Sequence, residues 1–434
     1  MNLKRSSING VKWITVSTIT VTSSAVLKAS ILSRILEISD FGLMAIITFV
    51  LGFITLFIDL GLTTAILHVD NITRKQYSSL FWLNVGFSIF LFTLLFLCTP
   101  FISNYYNEGE LNTLIPLMAF GLVINSLGSH YKTMEQKQLQ FKLLAFVDIF
   151  SAIVSLVVAV LLAVYDYGVY SLVYSSLLYT FLGSIFFFIK GMNMMRIRIH
   201  FKKDDLRPFL KIGVFNIGGQ VINFFNKEVD ILIVGNFFGT EVLGGYSLAK
   251  QLVDRPLRLI RPIVMNVMSP VLSIMKNDKE DLKNNYLKII QSVSSISTTI
   301  YVTLILFAEP IVYVFYGTGY EYIVSLVRIL SGYMFFVSLR IPLGSLIIAT
   351  GKTNMEFYWF LSTFIFMPIA IYIGAQYSLE SVPIAMTATM IIYFYPMWRF
   401  VISPLIKVNF KDYIKAHILS LRELKVVINS LKKK

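Results

Sequence analysis

The chain has 434 residues, of which 56% are hydrophobic and only 14% charged, and its mean hydropathy is +0.72. That balance excludes a soluble domain and reads as an integral membrane protein. The net charge of +14 would suit nucleic acid, but its distribution along the chain excludes that partner, and a lone Cys98 excludes an intrachain disulfide.

The first predicted element follows "MNLKRSSINGVKW", which leads into a run too long and too polar for a cleavable signal, so the first helix is expected to stay in the mature protein. Apolar runs of about twenty residues, the length that crosses a hydrocarbon core of about 30 Å, recur from there to the C-terminal region. About twelve are present, near 11–36, 41–67, 79–99, 111–131, 143–165, 167–189, 209–236, 242–270, 285–308, 322–349, 356–375 and 381–402. None shows the ten-residue alternation of a membrane barrel, so the spans are helices and the fold class is an all-α polytopic membrane protein.

The gaps between spans alternate in charge. One set carries Arg74, Lys75, Lys132, Lys137, Lys142, Lys190, Arg196, Arg198, Lys202, Lys203, Arg207, Lys276, Lys279, Lys283 and Lys352, whereas the other set has neither Lys nor Arg. By the positive-inside rule the first set is cytoplasmic, the span number is even and both termini are cytoplasmic. The basic tail "KDYIKAHILSLRELKVVINSLKKK" has two readings, an interfacial amphipathic helix or a disordered solvated segment.

The long basic loop at 190–208 divides the chain into six spans and six spans: an N-terminal bundle over 1–195, a C-terminal bundle over 196–403 and a basic cytoplasmic tail over 404–434. An ungapped shift of 202 residues sets "LKASILSRILEISDFGLMA" on "VDILIVGNFFGTEVLGGYS", Gly42 on Gly244 and Lys28 on Asp230. Repeated halves with a substrate path at their interface are a common transporter plan.

Ionisable residues inside the spans cluster in equivalent helices of the two halves. Lys28 and Arg34 fall in the first span and Asp59 in the second. Lys227, Glu228 and Asp230 fall in the seventh, and Lys250, Asp254, Arg255, Arg258 and Arg261 in the eighth. Arg328 and Arg340 lie in the tenth, and Asp148 near the start of the fifth. A charge at the bilayer centre costs roughly 2.5–3.5 kcal/mol, so such groups face a partner or a wet cavity. Lys28, Arg34, Lys227, Lys250, Arg255, Arg258 and Arg328 are therefore expected to bind substrate in one cationic cavity. For Asp59, Asp148, Asp230 and Asp254 two roles stand: charge pairing, such as Asp230 with Lys28 or Asp254 with Lys250 or Arg258, or carriage of a coupling proton or sodium ion.

In "SLAKQLVDRPLRLIRPIV" the arginines at 255, 258 and 261 cover one helical face, and Pro256 and Pro262 are expected to kink the helix. Snorkelling to the cytoplasmic surface is the competing reading for Arg258 and Arg261, and Arg340 is read as an inner-rim residue. A cationic cavity suits an anion, and the planar fork of Arg suits phosphate. Four scattered histidines, His68, His130, His200 and His417, offer no metal cluster, and no cofactor is expected beyond the coupling ion.

The chain resembles the Wzx-like oligosaccharide flippases of the multidrug/oligosaccharidyl-lipid/polysaccharide (MOP) exporter superfamily. The stretches that carry the likeness are "SRILEISDFGLMAIITFV", "FIDLGLTTAIL", "VDILIVGNFFGTEVLGGYSLAKQLVDRPLRLIRPIVMNVMSPVLS", "EPIVYVFYGTGY" and "IIATGKTNM". The resemblance implies a V-shaped pair of six-helix bundles in the bacterial cytoplasmic membrane. It also implies alternating access on undecaprenyl-diphosphate-linked oligosaccharide, with membrane lipid, polysaccharide polymerase and chain-length machinery as further partners. Lys28 falls where related lipid-II flippases carry a basic cavity residue, while Asp59 departs from their cationic pattern. Two other functions compete. A membrane glycosyltransferase or polymerase needs a large outer loop or paired carboxylates, which the sequence lacks; a drug/cation antiporter wants an acidic cavity, which the surplus of Lys and Arg disfavours, although a titratable Asp230 or Asp148 is compatible with it.

Overall fold

The computed structural model describes residues 3–58, 62–69 and 72–419, and these form helices joined by short turns. The spans become helices because a backbone group left unpaired in hydrocarbon is costly, and only the helix pairs all of them within one segment. By internal contacts the chain divides into two compact units, Met1–Gly244 and Gly245–Lys434.

The first unit opens with α1 (Leu3–Leu32), α2 (Ile38–Ile58) and the short α3 (Leu62–His68). Next come α4 (Arg74–Tyr106), α5 (Leu111–Lys137), α6 (Phe141–Val164) and α7 (Val169–Met194), then the start of α8 (Lys203–Ile263). Helix α1, rich in Ser and Thr, packs on α6, and α5 packs on α4 and α7. Thr73 starts α4 with a capping box closed by Gln76, and Asn107, at φ 55°, ends it in the left-handed conformation. Lys137 reaches from the end of α5 to the carbonyls of Ile66 and Val69, where a cation complements the C-terminus of α3.

Helix α8 is far longer than a membrane is thick. Its apolar part, Gly218–Pro262, has 45 residues, about 68 Å at 1.5 Å per residue against a core of about 30 Å. The break is at Gly239, whose φ of 79° and ψ of 176° belong to glycine alone. Eleven stretches among the described residues are long and apolar enough to cross a membrane, and Gly239 divides one of them, in accord with the twelve spans read from the sequence. At Pro256 α8 continues with helical backbone angles, and beyond Pro262 the helix loosens into a π turn at Val264–Met268.

Two glycines fix a close crossing within the first unit. A Cβ on Gly42 would stand 1.8 Å from the Thr240 carbonyl oxygen, and one on Gly244 would stand 1.9 Å from that of Ile38. Gly42 and Gly244 are equivalent in the repeat register, and so are Ile38 and Thr240, so the two contacts are reciprocal, as a local two-fold axis requires. Small residues are what let membrane helices approach this closely. Contacts of this first half of α8 with α2 and α4 carry the compact unit past the charged loop to Gly244; among them Asn236 donates to the Tyr105 carbonyl and Thr240 to Glu108.

The second unit takes the rest of α8, α9 (Ser269–Ile274), α10 (Lys279–Leu306), α11 (Ala308–Tyr316), α12 (Ile323–Leu339), α13 (Ile341–Thr350), α14 (Thr353–Ala375) and α15 (Ser381–Pro396). A π turn at Met397–Ile402 leads to α16 (Ser403–Ile406) and α17 (Phe410–Ala416). Helix α12 packs on α10 and α15, α14 on α15, and α17 on α10. The tenth predicted span is thus two helices broken at Arg340, because Pro342 starts a new helix rather than extending the old one. Of the basic tail, Phe410–Ala416 is helical, and residues 420–434 lie outside the described residues.

Candidate functional site

Lys28 stands one turn before the end of α1, on the helix that packs against α6. Its Nζ donates to the hydroxyls of Ser175 on α7 (3.0 Å) and Ser155 on α6 (3.3 Å). Both serines are buried. Each commits its own proton to a backbone carbonyl, Ser155 to Ser175 at 2.7 Å and Ser175 to Leu172 at 3.0 Å. Their lone pairs therefore face the ammonium. Lys28 is held by neutral oxygens, and no carboxylate is among its partners in the described residues. Two of its three N–H donors are used, leaving one for a ligand. The pairing with Asp230 expected from the repeat register is replaced by these hydroxyls; Asp230 itself is buried on α8, within one turn of an exposed Lys227 and a half-buried Glu228.

The other predicted groups of the first unit fall elsewhere. Arg34 is not within a span: α1 ends at Leu32, and Arg34 is exposed in the turn that leads to α2. Asp59 lies outside the described residues. Asp148 forms an ion pair with Lys132 across α6 and α5 at 2.8 Å.

In the second unit the basic stretch of α8 neutralises part of its own charge. Asp254 accepts from Arg258 one turn on, at 2.5 Å, and the Arg258 side chain is 63% exposed. Arg255, half-buried, donates to Gln251 at 3.4 Å and has Arg258, Tyr316 and Asp254 as electrostatic neighbours. Lys250 is half-buried and Arg328 is exposed on α12. Tyr316 and Tyr301 anchor this helix by donating to the carbonyls of Leu248 and Val253.

Several charged groups were hidden from sequence reasoning. Helix α7 runs to Met194, so Lys190, read as a loop residue, is helical; the Glu135 carboxylate of α5, 3% exposed, meets its Nζ at 2.9 Å. Arg340 caps α12, with a buried Nε and with Nη1 directed to the sulfur of Met390. The basic loop at 195–205 is fastened to α4: Ser79 donates to Asp205, Asp205 bonds to His200 at 2.8 Å, and the Arg198 amide donates to Ser78. The His200 hydrogen bond holds the Asp205 carboxyl below its ordinary range.

The model of a family described as polysaccharide biosynthesis protein matches residues 31–325. The chain belongs to this family. It is similar to the teichuronic acid biosynthesis protein TuaB of Bacillus subtilis, at 25% identity over 96% of this chain and 86% of the relative. It is also similar to the lipopolysaccharide biosynthesis protein WzxC of Escherichia coli, at 24% identity over 87% of this chain and 76% of the relative. Among solved structures, the lipid II flippase MurJ in an inward closed conformation matches with a TM-score of 0.71 at 18% identity, covering 98% of this chain and 93% of that one. An inward-facing MATE multidrug transporter of the MOP superfamily matches with 0.66 at 16%, covering 91% and 99%. The fold is that of the solved MOP-superfamily transporters, and the chain is a multi-pass membrane protein of the polysaccharide biosynthesis family.

Proposed function

We propose that this polysaccharide-biosynthesis transporter carries undecaprenyl-diphosphate-linked oligosaccharide units from the inner to the outer leaflet of the bacterial cytoplasmic membrane. It does so by alternating access, with both termini cytoplasmic and the two six-span repeats as the moving parts. The observation that carries this reading is Lys28, an ammonium within a helix bundle whose partners are two hydroxyls. A cation held without a carboxylate favours an incoming anion, because the anion supplies the charge that the bundle withholds. Diphosphate is such an anion, and Lys250, Arg255 and Arg328 are further cations for it in the second unit. The names of TuaB and WzxC support surface polymers as the destination of the sugar, and a polymerase at the outer leaflet is the natural recipient. The pairing of Asp148 with Lys132 and of Asp254 with Arg258 supports structural roles for those two acids; a coupling proton or sodium ion then falls to Asp230 or Asp59.

The test is complementation. Expressed in a bacterium that lacks its own capsule or O-antigen flippase, the chain restores labelled lipid-linked oligosaccharide on the outer leaflet. Failure with every sugar type tried, while the protein is present in the membrane, sinks the proposal, and a drug-efflux assay then examines the antiporter reading.

A further inference from the structure

The second unit also holds a slot between α14 and the end of α15. Pro396 has no amide proton and its ring crowds the carbonyl four residues earlier, and the helix widens there into the π turn at 397–402. Beside this turn lies the slot, of about 610 Å³, whose walls include Met355, Trp359 and Phe366 of α14 and Tyr393 and Phe400 opposite. That volume is within the range of small-molecule sites, roughly 300–1,000 Å³.

Three features define what the slot takes. Its rim is aromatic and open to the membrane: Tyr358, Phe366, Ile392 and Phe400 are all more than half exposed. Its wall holds Trp359, 7% exposed, whose indole N–H is buried with no acceptor. Two cations adjoin the lining residues in the chain: Lys352, the N-cap of α14, precedes Met355 by three residues, and Arg399 is next to Phe400. Both are exposed. The carboxylate of that first turn, Glu356, has Arg340 as its electrostatic partner.

We propose that this slot binds an anionic phospholipid of the inner leaflet, with one acyl chain among the aromatic rings and the phosphate between Arg399 and Lys352. The indole N–H of Trp359 takes an ester oxygen below the phosphate. The assignment to the inner leaflet rests on the membrane orientation proposed above; the binding itself does not, and its test requires no transport.

The chain has four tryptophans, so Trp359 can be made the sole emitter by Trp13→Phe, Trp82→Phe and Trp398→Phe. In bilayers containing bromine-tailed phosphatidylglycerol, its fluorescence is expected to reach half-quenching at a mole fraction at least fivefold lower than with bromine-tailed phosphatidylcholine. The double variant Lys352→Gln/Arg399→Gln is expected to abolish that preference. If the triple replacement does not fold, the same titration compares the full chain with Trp359→Phe, and the headgroup-selective component is expected to vanish with Trp359. Equal curves for the two headgroups, or a preference that survives the double variant, overturn the proposal. So does displacement of the brominated lipid by undecaprenyl phosphate at far lower mole fractions than by unlabelled phosphatidylglycerol, which would assign the slot to the sugar carrier.

Discussion

Lys28 and Arg258 are both cations on membrane-length helices, yet their surroundings are opposite. Arg258 is mostly exposed and pairs with Asp254 one turn away, so its charge is answered within its own helix. Lys28 is enclosed by α6 and α7, and only hydroxyl oxygens answer it. The difference teaches that a count of charges in spans does not locate a binding site; what matters is which charges the fold leaves unneutralised. On this view Lys28 acts on substrate and Arg258 is largely a self-contained ion pair.

The largest expected effect follows directly. Removing the ammonium in Lys28→Ala deletes a charged hydrogen bond worth about 1.5–3 kcal/mol, so oligosaccharide export falls by roughly tenfold to a hundredfold, measured as label on the outer leaflet, while Lys28→Arg retains part of it. Export unchanged in Lys28→Ala would break the comparison.

His417 extends the contrast to a buried group that gives up its charge. Burial pushes its imidazole down to about 4 against an ordinary value near 6.5, so the folded form stays neutral while the unfolded form takes a proton as pH falls below about 6.5. The packing of α17 on α10 therefore weakens between pH 6.5 and 4, by roughly 3 kcal/mol at the lower limit. Limited proteolysis around residues 410–419 should accelerate across that window; Asp205, depressed by His200, loses its contribution only as pH falls below the ordinary carboxylate range.

Next in size is the hydroxyl cradle. Ser155→Ala and Ser175→Ala each remove one neutral acceptor, and each is expected to lower export severalfold, at about 1 kcal/mol per bond. Protein yield should remain normal, since no volume larger than one oxygen atom is lost. The smallest effect belongs to the exposed pair. A double-mutant cycle with Asp254→Asn and Arg258→Gln should give a coupling in thermal stability of about 0.5 kcal/mol or less, and a coupling of several kcal/mol would show that this pair is structural in a way its exposure does not suggest.

Hydropathy made the spans legible, because a run of twenty apolar residues has one stable backbone conformation in lipid. Gly42 and Gly244 were legible as a repeated pair, though not as a crossing that only a missing Cβ permits. Lys28 could be singled out from its charge alone. Its partners could not, since Ser155 and Ser175 are 127 and 147 residues away and serine is common in this chain's helices. Lys132 and Lys190 were misread as loop residues because α5 and α7 extend past their apolar stretches, and a loop was inferred wherever hydropathy fell. Arg34 erred in the other direction: an apolar run continued through a turn that the backbone takes at Ser33. The break in α8 at Gly239 was not legible, because a single glycine within an apolar run carries no sign of the backbone angles it adopts.

The central claim is that Lys28 receives an anionic lipid-linked sugar, and proteoliposomes test it most directly. Purified chain, reconstituted with labelled undecaprenyl-diphosphate oligosaccharide, should move label to the opposite leaflet, with Lys28→Gln inactive and Lys28→Arg partly active at equal protein content. Transfer by Lys28→Gln at the rate of the unaltered chain would contradict the account.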